Sequence, residues 1–194
     1  ASFWTKSSLY PLAPNASYKK NNHASCWHLD LNTDIRSLMS VLPNTYWFGT
    51  SHHELGHGFY FKAYSNPKVP PVLRTGANRS FHEAIGNLIS LVCNHQSYLK
   101  QRNLISSDAK TDAMQVLLQE AMENVALMPF AAGTMPQFEH ELYANNLPID
   151  QYNKKWWEIA KRYQGIVPPT ERGELYCDAA TKSHITDFPA KYYD

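Results

Sequence analysis

Cysteine is scarce in this sequence of 194 residues, which contains only Cys26, Cys93 and Cys177. An odd number of widely spaced cysteines excludes a disulfide framework of the kind that holds small secreted domains together. Their spacing also differs from that of cysteine-based zinc sites, where paired ligands lie about two to four residues apart. We therefore predict three free thiols, most of them buried.

An excess of charge of either sign is also lacking, since 18 Lys and Arg residues face 17 Asp and Glu residues. Such a chain has no broad positive field for nucleic acid or an anionic membrane, so neither is predicted as a partner. No apolar run is long enough to span a bilayer, and the first residues do not have a signal-peptide pattern. Two N-x-S sequons, at Asn15 and Asn78, nevertheless favour a secreted, extracellular protein.

Alternating strand patterns are rare, and the best short candidate follows His23. Helical periodicity dominates instead, and it predicts helices over residues 53–64, 81–93, 108–127 and 150–164. On the third helix the side chains expected on the buried face are Met114, Leu117, Leu118, Ala121, Met122 and Val125. No linker composition divides the chain, so we expect a mainly α fold in which residues 1–194 belong to one domain.

The strongest chemical signal is the stretch His53-Glu54-Leu55-Gly56-His57, an H-E-x-x-H motif. Residues four apart share one face of a helix, so both imidazoles can point at one ion. A catalytic zinc takes three protein ligands and keeps one position open for water. The motif therefore predicts Zn2+ as a cofactor and requires a third ligand from elsewhere in the chain.

The third ligand is expected from the next helix, in the stretch His82-Glu83-Ala84-Ile85-Gly86. Pro67, Pro70 and Pro71 predict a loop that lets the two helices lie antiparallel. Glu83 is the preferred ligand and His82 is its rival. Neighbouring residues on a helix point about 100° apart, so only one of the two can face the metal.

Glu54 is the predicted general base, because it lies next to a ligand and close to the open position. Zinc lowers the pKa of water toward ~7, and a nearby carboxylate can then take the proton and pass it to the leaving amine. Spacing alone does not choose the donors that would stabilise the oxyanion. The candidates are the twelve tyrosines and five histidines, namely His23, His28, His95, His140 and His184.

Several further motifs, in one order along the chain, resemble the peptidyl-dipeptidase family of angiotensin-converting enzyme. They are Phe3-Trp4, His23-Ala24-Ser25-Cys26-Trp27, Asp34-Ile35-Arg36, His52 to His57, Gly76-Ala77-Asn78, Phe81 to Gly86, Trp156-Trp157, Tyr163-Gln164-Gly165, Cys177-Asp178 and Lys182-x-His184-Ile185. The resemblance implies a helical zinc metallopeptidase with a deep cleft between two lobes. It also implies that residues 1–194 form part of a longer catalytic domain, the remainder of which would be a partner of this chain.

By resemblance, the metal ligands are His53, His57 and Glu83, and the general base is Glu54. His184 corresponds to a histidine that contacts the substrate beyond the scissile bond, and Tyr193 corresponds to a tyrosine that donates a hydrogen bond to the oxyanion. The implied substrate is a peptide with a free C-terminus. Its contacts are assigned to His23, to the backbone of Ala24 and Cys26, and to Lys182, which would pair with the terminal carboxylate.

Some positions depart from the family pattern, and they leave two alternatives open. Asn87 replaces an acidic residue behind a zinc histidine, and Ala190 replaces a tyrosine that helps to hold the substrate carboxylate. Tyr192 and Ala160 replace arginines that bind chloride, so chloride activation is not expected. The expected activity is release of dipeptides, or of single residues, from peptide C-termini. The alternatives are an inactive peptide-binding homologue and one fragment of a larger assembly.

Overall fold

The computed structural model describes residues 2–193, and of residues 2 and 124 only the backbone. More than half of it is helical, which confirms the mainly α prediction. The chain divides into two compact units, residues 1–109 and 110–194, although no linker composition marks the boundary. The helices and strands, in chain order, are α1 (Ser2–Lys6), β1 (Ser25–His28), β2 (Ile35–Leu38), α2 (Thr45–Tyr64), α3 (Arg79–Cys93), α4 (Gln96–Gln101), α5 (Ala113–Pro129), α6 (Met135–Tyr143), α7 (Tyr152–Gln164) and α8 (His184–Asp187).

The centre of the first unit is the helix pair α2 and α3. Each helix is capped by an asparagine whose side chain accepts a hydrogen bond from a backbone N–H of the first turn. The side chain of Asn44 accepts from Trp47 in α2, and that of Asn78 accepts from Phe81 in α3. The helix predicted over residues 53–64 thus begins eight residues earlier than expected, at Thr45. Aromatic and β-branched residues at its start obscured the helical pattern there.

The two helices are antiparallel and approach each other closely at Gly56 and Gly86. A Cβ atom added at Gly56 would lie 2.9 Å from Cα of Gly86 and 3.1 Å from the carbonyl oxygen of Ile85. Both neighbours are backbone atoms, which cannot move aside as a flexible side chain can. The Gly56–Gly86 contact therefore sets the distance between the helices.

Replacing Gly56 with alanine should lower the free energy of unfolding by about 1–3 kcal/mol, because the added methyl group overpacks this contact. Gly58→Ala is the matched control on the same helix. Its Cβ would lie 3.5 Å from Sγ of Cys26, an ordinary contact. The control should be neutral or stabilising by up to about 1 kcal/mol, because alanine favours helix. Urea denaturation of both variants checks the prediction, and equal effects would contradict it.

A short antiparallel hairpin, β1 with β2, packs beside α2 in the same unit. Ser25 pairs with Leu38, and the isolated bridge from Ser8 to Leu38 lies on the far side of β2. Among the described residues no other strand pairs with β1, so its outer edge is open. The strand predicted after His23 is confirmed.

The second unit packs around the aromatic and aliphatic side chains of α6 and α7. Its buried cluster consists of Met135, Phe138, Leu147, Trp156, Ile159, Ala179 and Ile185. Helix α7 ends at Gly165, which adopts the left-handed conformation with φ of 69°, as the sequence predicts.

Helix α5 corrects two expectations from the sequence. It spans Ala113–Pro129 rather than residues 108–127, because Asp112 caps it by accepting the N–H groups of Met114 and Gln115. The face predicted to be buried is exposed: Met122 and Val125 are each 73% accessible, and Met114, Leu117 and Leu118 are also exposed. Periodicity identifies the side chains that share a face, but burial requires a second element to cover that face.

None of the helices in residues 2–193 has both the length and the apolar character needed to cross a membrane. All three cysteines are free thiols, as predicted, but the expectation that most of them are buried is wrong: Cys93 is buried, Cys26 is half-buried and Cys177 is exposed.

Candidate metal centre

Three potential metal ligands converge between α2 and α3. The Nε2 atoms of His53 and His57, one helical turn apart, are separated by 3.0 Å. Oε2 of Glu83 lies 3.3 Å from Nε2 of His53 and 3.6 Å from Nε2 of His57. Within the described residues this is the one group of His, Cys, Asp and Glu side chains that could hold a metal ion.

The spacing of these three atoms fits zinc. Tetrahedral coordination with bonds of about 2.0–2.2 Å separates neighbouring ligand atoms by about 3.3–3.6 Å. The three observed separations of 3.0, 3.3 and 3.6 Å bracket that range. Two imidazoles and one carboxylate also form the ligand set of a catalytic rather than a structural zinc site, since one position remains open.

Gly86 makes room for the first of these ligands. A Cβ atom added there would lie 2.8 Å from Cε1 and Nδ1 of His53. The imidazole is thus packed directly on the backbone of α3, one helical turn after Glu83. The same glycine that lets the helices approach therefore also places the His53 ring.

The carboxyl group of Glu83 is held in its charged form. Burial alone would raise its pKa, but the hydrogen bonds and charges of His53 and His57 outweigh burial and lower the pKa well below its usual range. For His53 burial acts in the opposite direction and would lower the pKa, but the hydrogen bond and the charge of Glu83 outweigh burial and raise it. The pocket therefore carries a fixed negative charge that suits a cation.

His82, the rival ligand, is placed behind His57 rather than beside the other ligands. Its Nδ1 lies 2.7 Å from Nδ1 of His57, on the side of that ring opposite the converging Nε2 atoms. Burial lowers the pKa of His82 to about 4. The structure thus brings Glu83 to the paired imidazoles and leaves His82 in contact with only one of them.

Glu54 lies on α2 between the two histidine ligands and is 5% exposed. Its Oε2 atom is buried and has no hydrogen-bond partner among the described residues. Burial raises the pKa of Glu54, although the positive charges of His53 and His57 oppose the shift. A buried carboxylate with an unused oxygen beside a metal site has the properties of a general base.

The residues predicted to hold substrate backbone lie at the start of the hairpin. Cys26 is on β1 and His23 and Ala24 precede it, and the charge of His23 is close enough to act on Glu54. Burial, followed by the charge of Glu54, raises the pKa of the Cys26 thiol to about 12. The thiol therefore stays protonated.

The three remaining predicted residues lie together in the second unit. Nδ1 of His184, on α8, is 2.9 Å from the hydroxyl of Tyr193. The ring of Tyr193 packs edge-on against Phe130 at 5.9 Å, and Nζ of Lys182 lies 4.7 Å from the centre of the Phe130 ring. Phe130 is thus a common neighbour of Lys182 and Tyr193, and no sequence motif indicated it.

Two further contacts of the site residues were not predicted from the sequence. Tyr192 stacks on His184 with ring centres 3.6 Å apart and planes 9° apart. Tyr64 lies 3.3 Å from Nε2 of His82 through its hydroxyl oxygen. The signal that could have found the second contact is the spacing of Tyr60 and Tyr64, which places both rings on the face of α2 that meets His82.

A family model described as angiotensin-converting enzyme matches residues 1–193. The chain belongs to the angiotensin-converting enzyme family. This confirms the resemblance drawn from the sequence motifs, and the family's zinc metallopeptidase character agrees with the ligand set found between α2 and α3.

Individual relatives give the extent of the similarity. The angiotensin-converting enzyme of Theromyzon tessulatum is 33% identical over 165 residues, which cover 84% of this chain and 26% of the relative. That of Mesocricetus auratus is 34% identical and that of Bos taurus 33% identical, each over 186 residues, or 94% of this chain and 14% of the relative. The chain therefore spans between 14% and 26% of the length of these relatives.

Proposed function

We propose that this chain provides the zinc site of a metallopeptidase that removes dipeptides, or single residues, from the free C-termini of peptides. The observation that carries the proposal is the convergence of His53, His57 and Glu83 beside the buried, unpartnered carboxylate oxygen of Glu54. Family membership supports the same reading, since its named relatives are angiotensin-converting enzymes.

The residues of the first unit have distinct tasks in this proposal. His53, His57 and Glu83 would hold the ion. When bound, zinc supplies Lewis acidity, which lowers the pKa of water and polarises a peptide carbonyl. Glu54 accepts the proton of the attacking water and passes it to the amine that leaves.

Peptide binding is proposed to use the open edge of β1. The backbone groups of Ala24 and Cys26 can pair with an extended peptide as an added strand, and His23 contacts its backbone. The role of Lys182 toward a terminal carboxylate, and those of His184 and Tyr193 as hydrogen-bond donors, are taken from the family resemblance. The 2.9 Å contact from His184 to Tyr193 supports a joint role for the two.

An extracellular location is part of the proposal. Both sequon asparagines, Asn15 and Asn78, are exposed and thus accessible for glycosylation. Endoglycosidase treatment of the native protein, followed by mass measurement, tests this location.

The test of the activity uses two peptides that differ only in a free or an amidated C-terminus. The zinc-loaded chain should shorten the free peptide and spare the amidated one, and mass spectrometry of the products distinguishes loss of two residues from loss of one. A chelator such as 1,10-phenanthroline should stop the reaction, and added zinc should restore it. Cleavage that survives the chelator would reject a metallopeptidase.

One observation favours a second candidate, that the chain is one fragment of a larger assembly. The apolar face of α5, including Met122 and Val125, is exposed, and the chain spans no more than 26% of the relatives described above. Zinc binding without turnover would support this candidate or an inactive peptide-binding homologue. Native mass of the protein from its source separates those two, since only an assembly adds mass.

A further inference from the structure

His57 is held from two sides by adjacent residues of α3. Glu83 approaches its Nε2 atom at 3.6 Å, and His82 approaches its Nδ1 atom at 2.7 Å. Both rings of the Nδ1 contact are buried, with His57 7% and His82 4% exposed. A separation of 2.7 Å between two ring nitrogens requires one proton between them, because two protons would clash and none would leave two lone pairs facing.

The position of that proton follows from what Nε2 of His57 must do. A metal ligand presents a lone pair, so the proton of a neutral His57 ring must sit on Nδ1. Nδ1 of His57 then donates to Nδ1 of His82. A ligating histidine commonly donates its other N–H to an acceptor that fixes its orientation. Here the acceptor is a second histidine.

The proton position on His57 also decides the proton position on His82, and with it the hydrogen bond from His82 to Tyr64. If Nδ1 of His82 accepts, the proton of the neutral His82 ring lies on Nε2, which is 3.3 Å from the hydroxyl oxygen of Tyr64. Burial raises the pKa of Tyr64 to about 12, so it remains a neutral phenol that can accept this hydrogen bond. The donors thus run in one direction, from His57 through His82 to Tyr64.

The His82 ring is locked in place by aromatic packing. Its centre lies 4.5 Å from the Phe61 ring and 4.8 Å from the Tyr60 ring. These contacts prevent the ring from turning away from His57. Because His82 precedes Glu83 on α3, one turn of that helix supplies both a ligand and the acceptor behind a different ligand.

We propose that His82 is a positioning residue that fixes the Nδ1–H tautomer of His57 and so presents Nε2 of His57 to the metal. The inference rests on the proposed zinc site. It predicts that affinity for zinc depends on a hydrogen-bond acceptor at position 82 and not merely on a ring that fills the space.

The experiment measures zinc affinity by competition with a chromophoric chelator. His82→Phe keeps an aromatic ring but removes the acceptor, and it should weaken zinc binding by about 10- to 100-fold, the usual loss when such a partner is removed. His82→Asn can place an amide oxygen near the former Nδ1 position and should recover most of the affinity. The Nδ1–H proton of His57 should be visible by NMR in the zinc-loaded protein and in His82→Asn, and it should exchange rapidly in His82→Phe.

A matched tyrosine pair keeps the proposal testable if His82→Phe does not fold. Tyr64→Phe removes the last acceptor and should weaken zinc binding severalfold, whereas Tyr60→Phe should not, since the Tyr60 hydroxyl accepts from the backbone N–H of Ala77 instead. Wild-type zinc affinity in a folded His82→Phe variant would overturn the role of His82, and if that variant does not fold, wild-type affinity in Tyr64→Phe would do so. A wild-type chain that fails to bind zinc would instead overturn the proposed site itself.

Discussion

Glu54→Gln is expected to lower kcat/KM on a peptide with a free C-terminus by about 10²- to 10⁴-fold, the usual contribution of a general base. Zinc should remain bound, because Glu54 contributes none of the three converging ligand atoms. Glutamine keeps the shape of the side chain but carries no negative charge and cannot take a proton. Initial rates and zinc content measured on the same preparation check both parts.

The same substitution should stabilise the zinc-free fold at neutral pH. Burial raises the pKa of Glu54 above its ordinary value of 4.5, so the folded state binds more protons than the unfolded state above that pH. The stability contributed by this group is therefore fully present below pH 4.5 and is lost as the pH rises through the raised pKa. The melting temperature of Glu54→Gln should exceed that of the wild type by a margin that grows as the pH rises to neutral.

Two outcomes would contradict the assignment of Glu54. Undiminished turnover in Glu54→Gln would mean that another group takes the proton. Loss of zinc from the variant would mean that Glu54 belongs to the metal ligands. Glu54→Asp serves as the control, since it keeps the carboxylate but withdraws it, and it should retain more activity than the glutamine variant.

Glu83→Ala is expected to weaken zinc binding by about 10²- to 10³-fold. Zinc-finger sites with four ligands bind with about 10–16 kcal/mol, or ~3 kcal/mol for each ligand, and this substitution removes one ligand. It also removes the negative charge that lies 3.3 Å from Nε2 of His53. Competition with a chelator of known affinity measures the loss.

Glu83→Gln is the matched control, because it keeps an oxygen near the site but removes the charge. Its zinc affinity should fall between those of the wild type and Glu83→Ala. The pKa of Glu83 is lowered in the fold, so its contribution to stability is present above the unfolded value and is lost on acidification. Unchanged zinc affinity in Glu83→Ala would reject this residue as the third ligand.

Helix α3 shows which features of a helix the local sequence pattern predicts and which it does not. The helix over residues 81–93 was predicted almost to its ends, and it begins at Arg79. The apolar residues Phe81, Leu88 and Val92 of this helix are exposed, however, while His82, Gly86 and Cys93 are buried. The apolar residues indicated the helical period correctly, but apart from Ile89 the side chains that meet α2 are mainly small or polar.

Local pattern also could not decide between His82 and Glu83 as the third metal ligand. Spacing places both residues on one turn of α3 and leaves open which of them reaches the paired imidazoles. The family resemblance indicates Glu83, and the structure brings its carboxylate to 3.3 Å from His53. Neither spacing nor resemblance indicated that the other residue would contact the far side of His57.

The pairing of His53 and His57 on one face is a property of the sequence by itself, because the helical repeat alone brings residues four apart into register. The family, the mainly α fold and the free cysteines were likewise predictable from the chain. The tertiary structure decided the rest of the metal centre. The distance and the rotation of α3 relative to α2 decide which atoms of α3 reach His57 and from which side. The Gly56–Gly86 contact allows the short distance.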